Sequence, residues 1–553
     1  MEQKRMRQKP DKETVVFILF FIGIAVYYGW RMFMLTPWYD ELYTYYYFIS
    51  RGPLYAAIHW PVPNNHIGYS VLSACLNIFG NSTIALRGIS YLCSMGGLIV
   101  LYRIGRMCFD HGMALMPVFL YTGMKLTNWL AVQGRGYALV SFCYLTSIYM
   151  LLHITVENRN RNRIRDYLIY AICLIIALYA IPSSVYVVVP VCLTGGAVLL
   201  FHKRYRKLVW LILTSMASAV CTLGLYGIVW LAIGSNLLTK TEGSAYYGMG
   251  HVSIILHAPI QALKTGVDYM LATPYIQSVD RESFRIRFVD WLRGLLNEYY
   301  VGAALVLAVL LLICAGAALI RIITSMRRKA AKSVSMERRL PDTDLVQEHI
   351  SYDRFMEIYL VVGIICVPLM LVIQCSLPYY RVFSFAGITA ALALAWLWQM
   401  IQRLLQRRFK LSDDVMTYAG SVVIFATGVL CVVLLFTPAY RMQYSDREAA
   451  IEDAYRHVDV MGADKIAVTD CDQEYLLLFI YDIGEERITR QPEEAEIVLA
   501  DKYLLLQYNT DITDWSGDDW KLYLTPEQFE ASDVTHNMEA VYENERFVVY
   551  ANK

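Results

Sequence analysis

Two acidic side chains, Asp40 and Glu41, stand next to each other directly after a long apolar run. A carboxylate at the mouth of such a run faces water on one side and hydrocarbon on the other, which suits it to general base chemistry. If residues 40–48 form a helix, Tyr43 and Thr44 share the face of Asp40 at three- and four-residue spacings. The alternative is an aromatic belt at a membrane interface, with solvated acids.

Two arginines, Arg135 and Arg381, are candidates for binding an anion. Both fall at the outer ends of predicted membrane spans, although basic residues accumulate on the cytoplasmic side. Each therefore needs an anionic partner nearby, and a guanidinium binds a phosphate through two parallel hydrogen bonds. The alternative is a structural ion pair with Asp40, Glu41 or an acidic C-terminal region. Lys125 is a third candidate, unless its ammonium group only extends to the interface.

Aromatic side chains flank both groups of charges. Tyr39 and Tyr43 lie beside the acidic pair, Tyr137 follows one arginine closely, and Tyr379 and Tyr380 precede the other. Their rings combine a flat apolar face with a polar hydroxyl, which is the kind of surface on which sugars stack. We therefore expect these five tyrosines to contact substrate.

Three histidines, His66, His251 and His257, fall on the same predicted outer side. Together with the acidic pair they could hold a metal, but no HxxxH or HxxE spacing supports such a site. Hydrogen-bonded or solvated histidines are favoured, so the sequence assigns no cofactor and leaves a divalent metal open. His66 stays a candidate for contact with substrate.

Familiar short catalytic motifs are missing from the sequence, which has no P-loop, GxSxG or HExxH pattern. Asp470 and Asp472 match the Asp-x-Asp pattern with which soluble glycosyltransferases hold a metal and a nucleotide-sugar. Three-residue matches are common in so acidic a region, so this one is discounted. Nucleic acid is not an expected partner, because the basic residues belong to loops that flank membrane spans.

The elements that must position these residues are membrane spans. Of 553 residues, 57% are hydrophobic and only 18% are charged, and the apolar residues form long blocks. Many blocks approach the roughly 20 residues needed to cross a bilayer. The net charge of +1 hides a division, because the region from Arg441 onward holds 26 acidic and 10 basic residues. The sequence thus predicts a polytopic α-helical membrane protein, surrounded by membrane lipids, with an acidic soluble region.

The basic loops set the predicted topology. If the basic residues before the first span are cytoplasmic, the later loops agree only when residues 66–80 lie on the outer surface instead of spanning. This leaves the C-terminal region extracytoplasmic, with eleven spans, or twelve or thirteen through split helices. The eleven are predicted at residues 15–35, 84–102, 112–126, 130–155, 168–181, 185–201, 208–233, 299–321, 356–374, 382–401 and 418–436.

Two domains follow from this topology. Residues 1–436 form the transmembrane domain, with a first outer loop at 36–83, a long outer loop at 234–297 and a cytoplasmic linker at 322–354. Residues 437–553 form a small α/β domain, predicted from a helical pattern at 447–460, short strands at 466–469 and 497–500, and a hairpin at 540–550.

Several motifs recur together in the N-terminal part of the chain. They are the acidic pair beyond the first span, an Asn-His at 65–66, LRGIS at 86–90 leading a span that ends in YRIGR at 102–106, and an Arg-Gly-Tyr at 135–137. In order and spacing they resemble the GT-C glycosyltransferases, particularly bacterial relatives of the protein O-mannosyltransferases and of the lipid A aminoarabinose transferase. The resemblance covers about residues 14–151, and beyond it the likeness is mainly architectural.

The resemblance implies an inverting transfer of a sugar from a polyprenyl-phosphate donor to a glycan, lipid or protein acceptor at the outer face. It makes Asp40 the base on the acceptor hydroxyl and Glu41 a neighbour that positions the base or the acceptor. Arg135 and Arg381 become ligands of the lipid phosphate. His66 falls at the family's Asn-His position without an assigned role, and a metal seen in some relatives has no clear ligand set here.

Two other functions remain as alternatives. A lipid-linked glycan flippase or other transporter would place polar residues at mid-membrane and often shows two related halves. Most predicted spans have apolar centres instead, and no halving is evident. The third hypothesis is a non-catalytic membrane protein whose acidic region binds partners.

Overall fold

The computed structural model describes residues 11–59, 65–110, 112–156, 163–272, 281–336, 350–441, 446–506 and 522–552. Parts of the sequence prediction lie outside these residues. They include the basic residues before the first span and parts of both outer loops, of the cytoplasmic linker and of the C-terminal domain.

The membrane part is built from helices α1 to α18. Their bounds are α1 (Lys12–Met34), α2 (Tyr39–Thr44), α3 (Pro53–Ile58), α4 (Ile67–Leu76), α5 (Ser82–Cys108), α6 (Leu115–Thr122), α7 (Lys125–Leu130), α8 (Tyr137–Thr155), α9 (Arg163–Ala180), α10 (Val185–Phe201), α11 (Tyr205–Lys240), α12 (His251–His257), α13 (Pro259–Ala272), α14 (Arg281–Tyr299), α15 (Ala304–Met336), α16 (Tyr352–Gln374), α17 (Ser384–Phe409) and α18 (Asp413–Phe436).

Nine helices of the described residues are long and apolar enough to cross a membrane. They are α1, α5, α8, α10, α11, α15, α16, α17 and α18, and each coincides with a predicted span. Helix α4 has only 10 residues, in keeping with the prediction that this segment does not span. The protein is therefore a multi-pass membrane protein, as predicted.

The other two predicted spans fall on α6 and α9. Helix α6 has 8 residues and ends at Thr122, and α9 has 18 residues with Asp166 in its first turn. Neither counts among the nine, so the number eleven stays a prediction.

Two predicted spans, now α8 and α15, begin several residues later in the structure than the sequence predicts. Helix α8 begins at Tyr137 and not at residue 130, because residues 131–136 form an irregular turn. In that turn a Cβ on Gly134 would lie 2.5 Å from a methyl carbon of Leu86 and 2.9 Å from Glu41 Oε1, so only glycine fits. Helix α15 begins at Ala304, since Gly302 turns the chain after α14 with φ +78°.

The first outer loop is helical where the sequence predicts it. Helix α2 continues without interruption into a π-helical turn, Tyr45–Ile49. The Glu41 side chain accepts a hydrogen bond from the Trp38 backbone N–H at 3.1 Å and so satisfies a backbone donor at the start of α2. Asp40 is thereby fixed in the first turn of a short helix.

The C-terminal domain, described at residues 446–506 and 522–552, is α/β as predicted. A five-stranded sheet has the order β2-β1-β3-β5-β4, with β1 parallel to both its neighbours and the β4–β5 hairpin antiparallel. The elements are α19 (Asp446–Arg456), β1 (Ile466–Ala467), α20 (Cys471–Ile480), β2 (Ile488–Thr489), β3 (Ile497–Asp501), α21 (Pro526–Ala531), α22 (Val534–Asn537), β4 (Glu539–Glu543) and β5 (Phe547–Ala551).

Candidate active site

Asp40 projects from the first turn of α2 toward Arg381. Its Oδ2 lies 3.4 Å from Nη2 of Arg381, and the two side chains keep 16% and 18% of their surface exposed. Both charged groups can therefore be reached from outside the helical bundle. The structure brings together an acid from the first outer loop and an arginine from a turn far along the chain, and this ion pair is the alternative that the sequence left open for Arg381.

Arg381 lies in a 3₁₀ turn, Tyr380–Phe383, between α16 and α17. Its guanidinium is 4.7 Å from the ring centre of Trp38 and 4.8 Å from that of Tyr379. Stacking of this kind suits arginine because its guanidinium is planar and weakly hydrated. Among the described residues its buried Nε has no hydrogen-bond partner. A guanidinium held by stacking, with a donor unused, is suited to receive an anion.

Glu41 is fully buried and points away from Asp40. It forms a two-pronged ion pair with Arg87, at 2.8 Å from Nε and 2.9 Å from Nη2, and accepts the Gly134 N–H at 2.6 Å. Arg87 also donates to the carbonyls of Met32 and Leu35 at the end of α1. Glu41 thus ties α2 to α1, α5 and the turn before α8. This geometry favours a positioning role for Glu41 over a chemical one.

Arg135 is also buried, and it holds the backbone that carries Asp40. Its Nη1 donates to Thr44 Oγ1 at 2.7 Å and to the Asp40 carbonyl at 3.3 Å. Thr44 Oγ1 in turn donates to the same carbonyl at 2.6 Å, which agrees with the predicted four-residue spacing. Arg135 therefore clamps α2 in place, whereas Arg381 reaches the carboxylate itself.

His66 lies beneath this clamp as a neutral ring. The Gly136 N–H donates to Nδ1 at 3.0 Å, and Nε2 lies 3.2 Å from Nη2 of Arg135. Burial, helped by the charges of Arg135 and Arg381, holds the pKa of His66 well below its usual value. Tyr137 packs edge-on against the imidazole, with ring centres 5.2 Å apart.

The remaining predicted residues are distributed around this site. Lys125 pairs with Glu298 of α14 at 2.9 Å, and no contact in the described residues links it to Asp40. Tyr39 is buried and Tyr43 is half-buried, stacked on Tyr47 at 4.3 Å. Of the tyrosines before Arg381, Tyr379 is 72% exposed. Its neighbour Tyr380 lies 5.8 Å from the ring of a tryptophan on α14.

An apolar cavity of about 80 Å³ lies next to the turn that carries Arg381, because Phe383 of that turn is part of its wall. Helices α14, α15, α16 and α17 supply the rest of the wall, which is mostly apolar. The cavity walls include Trp291, Leu295, Val367 and Leu371. An apolar chain attached to an anion at Arg381 would find hydrocarbon-like surroundings here.

Sequence reasoning did not assign Arg87 and Trp38 to the site. A charged residue inside an apolar span is itself a signal for a buried partner, and Arg87 interrupts the apolar helix α5. Trp38 carries no comparable signal, because a tryptophan at a membrane interface is ordinary.

The Asp-x-Asp match has a structural explanation. Arg447 contacts Asp470 at 2.6 Å and Asp472 at 2.5 Å, and all three side chains are buried within the C-terminal domain. The described residues contain no group of three or more His, Cys, Asp or Glu side chains that could hold a metal ion. His251 instead contacts Ser235, and His257 contacts the Ser253 carbonyl.

A family comparison matches the part of the chain that runs from α4 into α11. This part contains Arg135, but Asp40 and Arg381 lie outside it. The model of the dolichyl-phosphate-mannose-protein mannosyltransferase family matches residues 67–232, less than half of the chain. The resemblance to GT-C glycosyltransferases predicted from the sequence is confirmed over this part. No protein with a curated function matches the sequence.

Two solved structures have a similar arrangement of helices at low sequence identity. ArnT from Cupriavidus metallidurans, bound to undecaprenyl phosphate, is 13% identical with a TM-score of 0.44, covering 97% of this chain and 98% of that one. The oligosaccharyltransferase AglB from Archaeoglobus fulgidus, in complex with an inhibitory peptide and a dolichol-phosphate, is 12% identical with a TM-score of 0.38. That match covers 81% of this chain, which spans only 59% of AglB. Likeness at this level carries no functional assignment.

Proposed function

We propose that this protein is a membrane glycosyltransferase. It transfers a sugar from a polyprenyl-phosphate-linked donor to an acceptor hydroxyl, with inversion, and Asp40 is the general base. The observation that carries the proposal is the partly exposed ion pair between Asp40 and Arg381. The match to a family described by a lipid-phosphate-linked mannose donor supports the same class of reaction.

The chemistry needs a base and a cation close together. Asp40 accepts the proton of the acceptor hydroxyl while that oxygen bonds to the anomeric carbon of the donor sugar. The bond between the anomeric carbon and the phosphate oxygen breaks, and the polyprenyl phosphate leaves with the electron pair. Arg381 stabilises the negative charge that develops on this leaving group, and a fixed cation does so most effectively where water is scarce.

The donor's lipid chain is proposed to occupy the cavity between α14 and α17. Its phosphate is proposed to lie at Arg381, because the turn that carries Arg381 also contributes Phe383 to the cavity wall. The partly exposed guanidinium of Arg381 and the exposed Tyr379 provide polar contacts there. Tyr380, packed on the α14 side, lies where the phosphate meets the lipid chain.

The other predicted residues are proposed to have different roles relative to the Asp40–Arg381 pair. Arg135 holds the backbone of α2 and His66 contacts Arg135, so we assign both to the frame of the site in preference to direct phosphate binding. Lys125, which pairs with Glu298, is less well placed for the donor than Arg381 is. Tyr137 lies between His66 and Arg381 and is proposed to contact the donor phosphate.

The site is proposed to face away from the cytoplasm. The basic loops predicted from the sequence place the N-terminus inside and the C-terminal domain outside. The acceptor then reaches Asp40 from the extracytoplasmic water, while the donor enters sideways from the outer leaflet. This proposed geometry is the same whether the acceptor is a glycan, a lipid or a protein.

The test begins with the lipid that accompanies the purified protein. Mass spectrometry of lipids retained in nanodiscs should find a polyprenyl phosphate or its glycosylated form. A panel of synthetic undecaprenyl-phosphate sugars is then supplied, and the release of undecaprenyl phosphate is measured. Asp40→Asn should reduce release by about 10²–10⁴-fold, the usual contribution of a general base.

The matched control is Asp268→Asn, which neutralises an exposed acid on α13. Its rate should equal that of the unaltered protein. Full activity in Asp40→Asn would rule out the base assignment. If the unaltered protein released no phosphate but moved the lipid across proteoliposome membranes, the transporter hypothesis would replace this one.

A further inference from the structure

The C-terminal domain contacts the short helix α2, which carries Asp40, and the residues just before it. Two acids on α19, one helical turn apart, reach the start of that segment. The Tyr39 backbone N–H donates to Glu448 Oε1 at 3.0 Å, and Thr36 Oγ1 donates to the Glu452 carboxylate. Glu448 is 2% exposed, so this hydrogen bond is shielded from water. Buried hydrogen bonds to a charged group are among the stronger ones in proteins.

Leu42 completes this contact from the side of α2. Its side chain is fully buried and belongs to the hydrophobic core of the C-terminal domain, together with Ile451, Tyr455 and Leu476. A residue of the first outer loop thus fills a position in the core of a domain that begins some 400 residues later.

Aromatic contacts continue the same interface along the π-helical turn. Tyr45 packs edge-on against Phe479 with ring centres 5.3 Å apart. Tyr46 stacks on Tyr475 at 5.4 Å, and the ring of Tyr39 lies 6.3 Å from the same tyrosine. These side chains are buried or half-buried, so they act as packing between the two parts of the chain.

A helix as short as α2 depends on such contacts for its conformation. It has 6 residues, well below the roughly 12–15 at which isolated helices become even marginally stable in water. Successive side chains on a helix diverge by about 100°. Asp40 therefore faces Arg381, Glu41 faces Arg87 and Leu42 faces the C-terminal domain. The direction of Asp40 is set by the partners of its two neighbours.

We propose that the C-terminal domain is a positioning element for sugar transfer, acting on Asp40 through Glu448 and Leu42. Glu448 is a positioning residue, because it touches the Tyr39 backbone and not the reacting groups. The catalytic consequence rests on the proposed function. The mechanical consequence, that this domain holds α2 in its conformation, rests on the contacts alone.

Four variants of the full-length protein in nanodiscs test the inference. Glu448→Ala removes the acceptor of the Tyr39 N–H, whereas Glu448→Gln keeps an acceptor oxygen and removes only the charge. Leu42→Ala empties a core position, and Leu42→Met is its volume-conserving partner. The matched control is Glu530→Ala, on an exposed face of α21.

Hydrogen–deuterium exchange measures the mechanical part without any substrate. Both alanine variants should raise the exchange rate of amides 39–48 at least tenfold, with α8 unchanged. Glu448→Gln and Leu42→Met should stay within about threefold of the unaltered protein. Unchanged exchange in Glu448→Ala and Leu42→Ala would overturn the inference, since the helix would then hold its conformation without the C-terminal domain.

Donor turnover measures the catalytic part. The alanine variants should lower kcat at least tenfold while KM for the donor changes less than threefold, and the conservative variants should restore most of kcat. Faster exchange with an unchanged kcat would also overturn the proposal. If the unaltered protein turned over no donor, the proposed function would fail, but the exchange result would still decide whether this domain holds the helix.

Discussion

Neutralising Asp40 should tighten the binding of undecaprenyl phosphate even though it abolishes transfer. In the structure the Asp40 carboxylate is the anionic partner of Arg381 at 3.4 Å, so an incoming phosphate must share or displace it. Two unit charges at this distance interact by about 5 kcal/mol at an effective dielectric constant of about 20. Solvent screening and side-chain entropy leave about 0.5–1.5 kcal/mol of that interaction. Asp40→Asn should therefore lower Kd for undecaprenyl phosphate about two- to tenfold.

The assay measures the binding of undecaprenyl phosphate to the protein by microscale thermophoresis, with the protein in nanodiscs made of zwitterionic lipid. Titrations at low and at high salt separate the electrostatic part, because salt screens exposed charges over about 10 Å at 0.1 M. The gain from Asp40→Asn should shrink as salt rises. Asp268→Asn, remote from the pair, should leave Kd unchanged at both salt concentrations.

A second variant connects the effect to Arg381. Arg381→Gln should weaken binding, and in that background the gain from Asp40→Asn should be smaller, because only the direct repulsion between carboxylate and phosphate remains to be relieved. Weaker or unaltered binding in Asp40→Asn alone would refute the reasoning. The phosphate would then bind away from this pair, and Arg381 would serve only as a structural partner of Asp40.

Three further outcomes follow from the buried groups around the pair. Glu41→Ala leaves the buried charge of Arg87 without its partner and should lower the free energy of unfolding by about 3–5 kcal/mol, measured by denaturation in detergent. The depressed pKa of His66 means that below about pH 6.5 the unfolded chain binds a proton that the folded chain does not. Stability should therefore fall as the pH decreases, by up to about 1.4 kcal/mol per pH unit, and His66→Gln should flatten this dependence. Lys125→Met, which only removes the partner of Glu298, should leave Kd for undecaprenyl phosphate within twofold.

The spans could be predicted because the membrane imposes a simple requirement on the chain. Any segment that crosses hydrocarbon must be long, apolar and helical, and the basic loops then suggest its direction. The exceptions occur where the outer ends of helices carry the site. The turn at 131–136 interrupts a run that reads as helix, because Gly134 offers its N–H to Glu41 and Arg135 reaches back to α2.

The meeting of Asp40 with Arg381 could be anticipated from charge alone. An arginine on the outer side of a membrane protein needs an anion, and few acids are placed to provide one. The sequence could not resolve which of the two adjacent acids contacts which arginine. Asp40 and Glu41 look equivalent in the sequence. Because successive residues of a helix are rotated by about 100°, Asp40 contacts Arg381 and Glu41 contacts Arg87.

The role of the C-terminal domain was beyond sequence reasoning for a related reason. Leu42 reads as one more apolar residue beside a membrane span, and nothing in its neighbourhood points to a partner some 400 residues away. Its burial in the core of that domain means that the domain and the first outer loop fold as one unit around Asp40. As the proposed base, Asp40 would have to meet both a lipid-linked donor and an acceptor, at the junction of two environments. Holding it from the membrane side through Glu41 and from the water side through Leu42 fixes its direction in both.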